Sequence, residues 1–356
     1  MSPRARPKKH RRSTPGAAFS PVGEAGTRGS VVAEKSRPER DAKRHPEPVA
    51  RGRRDDAKGE LRRGKRVVRL SRLSYLWWPE TGIRKGDLIE YYRRVSPVLL
   101  PHLRDRPFTL KRYLNGPNAP FKWVKDAPAE LPGWVRRCAL PAKSRRGELV
   151  QYPLVNDELA LVWMIDYGCI DLHLWYSRCD KPSRPDYVLF DLDPASVEFA
   201  RVVEAAQLLR ELLSAIGLES FVRTSGGDGL HVQVPVVRRY TYADTRRFAE
   251  IVAGALVRAR PHLVTVERDR KQRRGVFVDT KMNGEGMTIA SLYSARPRPG
   301  PPVATPLDWE ELEPALDPSA FTLAAVLERV DAHGDLHAAL LTTRQRLEPA
   351  LALVGG

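Results

Sequence analysis

Two aspartates one residue apart, Asp191 and Asp193, close an apolar run that begins at Asp186 and ends at Pro194. In a strand, alternate side chains share a face. Val188, Phe190 and Leu192 then point one way, and Leu189, Asp191 and Asp193 the other. Two carboxylates at a strand's exit, where Pro194 is expected to stop the pairing, raise each other's pKa unless a cation lies between them. A hard divalent ion with oxygen ligands is the natural partner. A second apolar run, Gly275 to Val278, ends in a third carboxylate, Asp279. A two-ion site needs such a bridging ligand. Between these runs lies Arg223-Thr224-Ser225-Gly226-Gly227-Asp228-Gly229-Leu230-His231. Its glycines let backbone N–H groups approach phosphate oxygens. Ser225 adds a hydroxyl donor, and His231 opens the next strand, within reach of a triphosphate. No Gly-Lys-Ser/Thr follows, so this is not a Walker loop. Each piece alone has a plainer reading: an acidic strand end, a tight turn, a half-buried strand histidine. Together they supply metal ligands and a phosphate cradle, and they point to nucleotidyl transfer.

The rest of the chain suits a polyanionic partner. It has 356 residues, 42% hydrophobic, with a formal charge of +17 and a pI of about 10.0. The charge is uneven. Residues 1–66 hold 20 Lys/Arg and 8 Asp/Glu, the remainder 40 and 35. Residues 1–66 are rich in Arg, Lys, Pro, Gly and Ser without apolar periodicity, and are expected to be disordered. They are either an inert leader or a tail for nucleic-acid backbone. No apolar run is long enough to span a membrane, and no apolar segment follows the basic N-terminus as in a secretory signal. Cys138, Cys169 and Cys179 form no CxxC pair and no zinc spacing. They read as reduced thiols in a cytosolic protein.

The elements that must position the carboxylates alternate in type. A strand-like stretch over Leu70 to Trp78 precedes a helix from Asp87 to Leu100. Residues 108–125 interleave Phe108, Tyr113, Phe121 and Trp123 with Lys111, Arg112, Lys122 and Lys125. That mixture suits a nucleic-acid surface and equally an amphipathic hairpin. Residues 142–147 form a basic turn. Asn156 caps a helix that Gly168 ends, and Cys169 to Tyr176 is a strand. Ser196 caps a helix ended by Gly217. Phe221–Thr224 and Leu230–Val236 are strands, Thr241–Ala259 a helix, Leu263–Glu267 and Val276–Asp279 strands, and Ser319–His333 the last clear helix. The class is mixed α/β.

Taken together these stretches resemble the archaeo-eukaryotic primase superfamily, and most closely the polymerase domain of bacterial DNA ligase D. The resemblance runs from about residue 67 to 335. It is carried by Trp78-Pro79-Glu80-Thr81-Gly82 with Lys85-Gly86-Asp87, by Tyr152-Pro153-Leu154-Val155-Asn156 and by Gly168 to His173. The Asp191 and Asp279 strands, the Ser225–His231 turn and the segment Ala295 to Leu307 complete it. It implies a primase-polymerase fold: a sheet-based catalytic core over residues 67–340 with a small N-terminal α/β module and an acidic cleft between. Residues 341–356 are then a C-terminal extension.

The resemblance also implies residue roles. Asp191, Asp193 and Asp279 hold two divalent ions, Mn²⁺ or Mg²⁺. Ser225, Gly226, Gly227, His231, Arg296 and His173 face the nucleotide, and Lys85, Trp123 and Lys125 face DNA, with Lys85 at a downstream 5′-phosphate. The implied activity is template-dependent nucleotidyl transfer on gapped or broken DNA from nucleoside triphosphates, with ribonucleotides favoured. Ku and a DNA ligase are the implied partners, in the bacterial cytoplasm around the nucleoid. Two residues depart from the family: Asp228 and Tyr75 stand where it usually has basic side chains. No ligase Lys-x-Asp-Gly motif or nuclease module is visible, so a stand-alone form is expected. A primer-independent primase and a weakly catalytic DNA-end-binding module are the alternatives.

Overall fold

The structure is a computed structural model that describes residues 58–141, 147–195 and 197–354. Most of the expected tail (residues 1–57), most of the basic turn (142–146) and the expected cap Ser196 lie outside the described residues.

Residues 58–66 do not continue that tail. Gly59–Arg63 (β1) and Arg66–Leu70 (β2) form an antiparallel hairpin around Gly64. Arg63 and Arg66 reach Glu158 and Asp157 at 3.0 Å, and Val68 is buried, which anchors the hairpin. Leu76–Trp78 (β3) and Ile83–Arg84 (β4) form a second small hairpin. The helix Lys85–Leu103 (α1) follows directly. Asp87 accepts the amide of Arg84 and completes its N-terminus.

Phe108–Tyr113 (β5) and Phe121–Val124 (β6) pair antiparallel, as do Arg137–Pro141 (β7) and Leu149–Pro153 (β8). The helix Glu158–Asp166 (α2) is capped by Asp157, whose side chain accepts the Ala160 amide. Asn156 instead bonds Asp105 through both its amide atoms. Gly168 does end this stretch. At φ +109, with the Tyr113 carbonyl 2.8 Å from where a Cβ would lie, only glycine fits. The strand expected over Cys169–Tyr176 shortens to His173–Leu174 (β9).

The central strand is Tyr187–Pro194 (β10). Pro194 does not stop its pairing, because it stands opposite Val276. That is allowed because its missing N–H falls at the strand's end. The helix Phe199–Ala215 (α3) begins after Glu198. Then come Phe221–Thr224 (β11), Leu230–Pro235 (β12), Tyr242–Ala259 (α4), Val264–Thr265 (β13) and Val276–Val278 (β14). Thr241 and Asp244 form a reciprocal capping box on α4. Ile289–Ala290 (β15), Pro306–Leu307 (β16), Leu323–His333 (α5) and Glu348–Val354 (α6) complete the chain.

Two sheets carry the site. Six strands run in the order β13-β14-β10-β12-β11-β16, and four in the order β15-β9-β5-β6. On the larger sheet Val188, Phe190 and Leu192 stand opposite Val234, Val232 and Leu230. They share one core with Val202, Val203, Leu209, Phe248 and Val252 of α3 and α4. The other face presents Tyr187, Leu189 and Asp191, and its apolar part packs on Tyr176 and on Ile289 of β15. The site therefore lies on the face that the two helices leave open, where β15 approaches.

Residues 341–351 pack as part of this body. Leu347 and Ala350 are buried, and Gln345 bridges to Val236. One expectation is overturned outright: Cys138 and Cys179 form a disulfide, and only Cys169 is a free thiol. They are 41 residues apart. The fold brings β7 against the segment after β9, and no local spacing announces it.

Candidate active site

Strand register assembles the carboxylates. Asp191 stands opposite His231 on β12, and His231 opposite Arg223 on β11. On the other side Leu192 pairs with Val278 and Asp193 with Phe277. One residue further, the Asp279 amide donates to the Asp191 carbonyl at 2.9 Å. The pairing of β10 with β14 thus sets Asp279 beside the other two aspartates. Its Oδ1 accepts the Lys281 amide and caps the short turn Thr280–Asn283. Among the described residues no three His, Cys, Asp or Glu side chains are drawn together as a ready-made metal cage.

The electrostatics of the carboxylates suit a divalent cation. Burial pushes the Asp191 carboxyl up to about 6 against the pull of Arg223 and Arg296. The cleft walls, then the charges of Asp191 and Asp279, push Asp193 up to about 7. An all-carboxylate donor set that retains a proton near neutrality suits a hard divalent cation. His231 is buried, and burial followed by the charges of Arg223 and Arg296 holds it well below the usual histidine range. It is a neutral imidazole with Nε2 3.1 Å from Asp191 Oδ1. The ring therefore sits against the Asp191 carboxylate in the wall of the cleft.

The Ser225–Gly229 turn also differs from expectation. Ser225 Oγ accepts the amides of both Gly227 and Gly229 at 3.2 Å. Those two N–H groups are satisfied within the turn, and the Ser225 hydroxyl proton and the arginine side chains of the cleft are further donors to an anion. A cleft of about 430 Å³ opens over the turn. Asp191, Asp193, Ser225, Gly227, Asp228, His231, Ile289 and four arginines, Arg270, Arg273, Arg296 and Arg298, line it.

The remaining expected residues divide. Arg296 is in the cleft and donates to the Ser225 carbonyl at 3.3 Å. His173 is buried beyond it, held by Asp171 at 2.9 Å, while Asp171 also takes Lys111 at 2.9 Å. Burial opposes ionisation of Asp171, but the His173 hydrogen bond and the charges of His173, Arg296 and Lys111 bring it down to about 2. Trp123 is 44% exposed on edge strand β6, edge-on to His173 at 4.9 Å, and Lys125 is exposed beside it. Lys85 lies elsewhere. It lines a separate pocket of about 220 Å³ with Ser71, Arg72, Arg112, Asp166 and Tyr167. There its ammonium is held by Asp166 at 2.7 Å and the Ser71 carbonyl at 2.8 Å. Tyr75, the second departure, carries the Arg72 guanidinium on its ring at 3.9 Å, so that pocket still receives a cation.

The sequence reading missed Arg223, Arg270, Arg273, Arg298 and Asp171. Asp171 carried a signal, alternating with His173 in one strand-like run. The arginines carried none among 60 Lys and Arg.

A mixed α/β core with carboxylates on paired strands under an arginine-lined glycine turn defines a primase-polymerase fold. Within that class the chain belongs to the LigD primase-polymerase domain family, whose model matches residues 84–337. It is 32% identical over 278 residues to the multifunctional non-homologous end joining protein LigD of Mycolicibacterium smegmatis, covering 77% of this chain. It is 32% identical over 309 residues to the LigD protein of Pseudomonas aeruginosa, covering 85%. In both cases the match spans 36% of the relative's length. The polymerase domain of Mycobacterium tuberculosis ligase D, solved in complex with DNA, superposes with a TM-score of 0.72 at 31% identity. That match covers 78% of this chain and 99% of that one.

Proposed function

We propose that this chain is a template-dependent nucleotidyltransferase that fills short gaps or extends broken ends in DNA repair. The observation that carries the reading is the register that sets Asp191 and Asp193 in the arginine-lined cleft with the Ser225 turn and brings Asp279 next to them on the adjoining strand. Asp191, Asp193 and Asp279 would hold two divalent ions, Mn²⁺ or Mg²⁺. When bound, such ions supply activation of a primer 3′-hydroxyl and charge stabilisation at the phosphates. The chain's own residues do the rest. Ser225 and Arg296 bind and orient the triphosphate, whose developing charge the surrounding guanidiniums stabilise. His231 holds Asp191 in place. Trp123 and Lys125 offer a stacking face and a charge to template. Arg72 and Arg112 join Lys85 in the second pocket, where a downstream 5′-phosphate must compete with Asp166 for the lysine.

Ribonucleotides are the favoured substrates, and Ku and a DNA ligase are the partners on broken DNA in the cytoplasm. The family resemblance supports these assignments, and the end-joining names of the relatives support broken DNA as the substrate. Among the described residues no helix is long and apolar enough to cross a membrane.

The test is extension of a labelled primer across a gap of one to a few nucleotides with Mn²⁺. Ribo- and deoxynucleotides are compared, with Asp191→Ala/Asp193→Ala as control. Extension abolished by the double variant is the expected result. Dinucleotide synthesis without a primer would favour the primase reading. Gap binding without any addition would sink the polymerase reading in favour of an end-binding module.

A further inference from the structure

The sheet face that carries Asp191 also borders a second cavity, with Ile289 lining both it and the cleft. The second cavity measures about 30 Å³, room for about two water-sized bodies. Its lining is unbalanced in charge: Arg106, Arg178, Arg223 and Arg344 stand against one carboxylate, Asp186. His102 also lines it, but its Nε2 is engaged by Asp335 at 2.8 Å. Asp186 is taken twice, by Arg106 at 2.8 Å and by Arg178 at 3.2 Å. Arg344 is exposed and marks the mouth.

That leaves Arg223 without a counter-charge. Its side chain is 1% exposed. The terminal nitrogens meet only neutral oxygens, the Ala290 carbonyl at 2.7 Å and, loosely, the Ser291 carbonyl at 3.5 Å. Among the described residues no carboxylate pairs with it, and its Nε has no partner at all. Burial drags the guanidinium down to about 10. A buried charge is costly unless it is both paired and hydrogen-bonded. A water molecule would satisfy the Nε proton and leave the charge. A small anion answers both.

Strand register supplies a second donor. Arg223 stands opposite His231 and Phe221 opposite Gln233, so Gln233, two residues along β12 from His231, shares the face of Arg223. Gln233 is buried, and its Oε1 has no partner either. A half-turn of the amide exchanges oxygen for nitrogen and presents an N–H to an anion. Asp186 Oδ1, likewise unpartnered, needs a donor instead, which one water in the remaining space supplies. A phosphate is too large for that space.

We propose that this cavity binds one monovalent anion of halide size against Arg223, with Gln233 as the second donor and Arg344 at the entrance. The site stands whether or not the chain transfers nucleotides. Two measurements on the full chain test it. In crystals of the wild type exposed to bromide, an anomalous peak is expected in the cavity beside Arg223 Nε. In thermal melts at constant ionic strength, chloride replaces gluconate, which is too bulky to enter. Chloride at tenfold its Kd is expected to raise the wild-type melting temperature by roughly 2–4 °C. Arg223→Met should lose that gain, and Gln233→Leu, which keeps the arginine, should need several-fold more chloride to reach it. If Arg223→Met does not fold, the bromide map and Gln233→Leu still decide. A cavity that holds only water in the presence of bromide would overturn the proposal. So would a bromide peak without any melting gain, which is binding at crystal concentration only, or an equal gain in wild type and both variants, which is a general salt effect.

Discussion

Asp193 ties the chemistry of the cleft to its stability. In the metal-free protein Asp191 and Asp193 keep a proton up to about pH 6 and 7, whereas aspartates of the unfolded chain release theirs near pH 4. The folded state then binds more protons than the unfolded one between those limits, so this contribution to stability falls as pH rises through the window. Asp193→Asn removes the repelling charge. Without metal it should melt higher than wild type at pH 8, with the gap closing toward pH 4. Divalent cations bind the ionised form, so the melting-temperature gain from Mn²⁺ should grow with pH up to about 7 and then level off. Asp193→Asn should lose most of that gain. Thermal melts at several pH values, with and without Mn²⁺, check both signs. A variant less stable than wild type at pH 8 without metal would show that the carboxylates do not strain the empty site.

The same scale shows what a sequence can reveal. Asp191, Asp193 and Asp279 are legible because apolar strands with period-two alternation place them. The inward role of His231 is not, because it depends on a cross-strand neighbour. Arg298 is not, because a basic residue in a basic chain carries no local signal.

Elements were legible where local chemistry sets them, as in the helix that starts at Thr241 and the Gly168 stop. They were misread where a distant contact decides. Asn156 looks like a cap but is spent on Asp105, which leaves capping to Asp157. The hairpin β1–β2 looks like tail because its arginines find their acidic partners on α2, far along the chain. The disulfide belongs to the same group. It closes a loop of 41 residues, and chain-entropy arguments give such a closure about 4 kcal/mol. Replacing both Cys138 and Cys179 by Ser, or adding reductant, should lower the urea-unfolding free energy by about that much, while gap extension below the unfolding temperature persists. Identical urea midpoints for oxidised and reduced protein would show that the link does not constrain the unfolded chain. The ion pair between α1 and α2 makes a sharper demand. The side chains of Lys85 and Asp166 are only 6% and 16% exposed. Asp166→Ala strands a buried ammonium and should cost about 3 kcal/mol or more. Asp166→Asn, which keeps a hydrogen-bonding oxygen, should cost clearly less in the same urea titration.

At the scale of the whole molecule, charge and catalysis separate along the chain. Among the described residues the cleft is lined only by residues after Trp78, and residues 1–57 hold 15 Lys/Arg and 7 Asp/Glu, a net of +8 out of +17. Cations on the phosphate backbone release condensed counterions, so each engaged phosphate adds about 0.9 to the slope of log affinity against log salt on duplex DNA. A chain starting at residue 58 keeps the β1–β2 hairpin and its anchors to α2. If half of that net charge engages phosphates, the truncated chain should bind gapped duplex with a slope about 3 to 4 smaller, and it should bind more weakly in low salt. Its kcat at saturating DNA should match the full chain's, because the described lining of the cleft lies wholly after Trp78. Fluorescence anisotropy over a salt series, paired with single-turnover extension, measures the two quantities separately. An unchanged slope would make the leader inert. A fall in kcat at saturating DNA would place part of it at the reacting centre and undo the division of labour argued here.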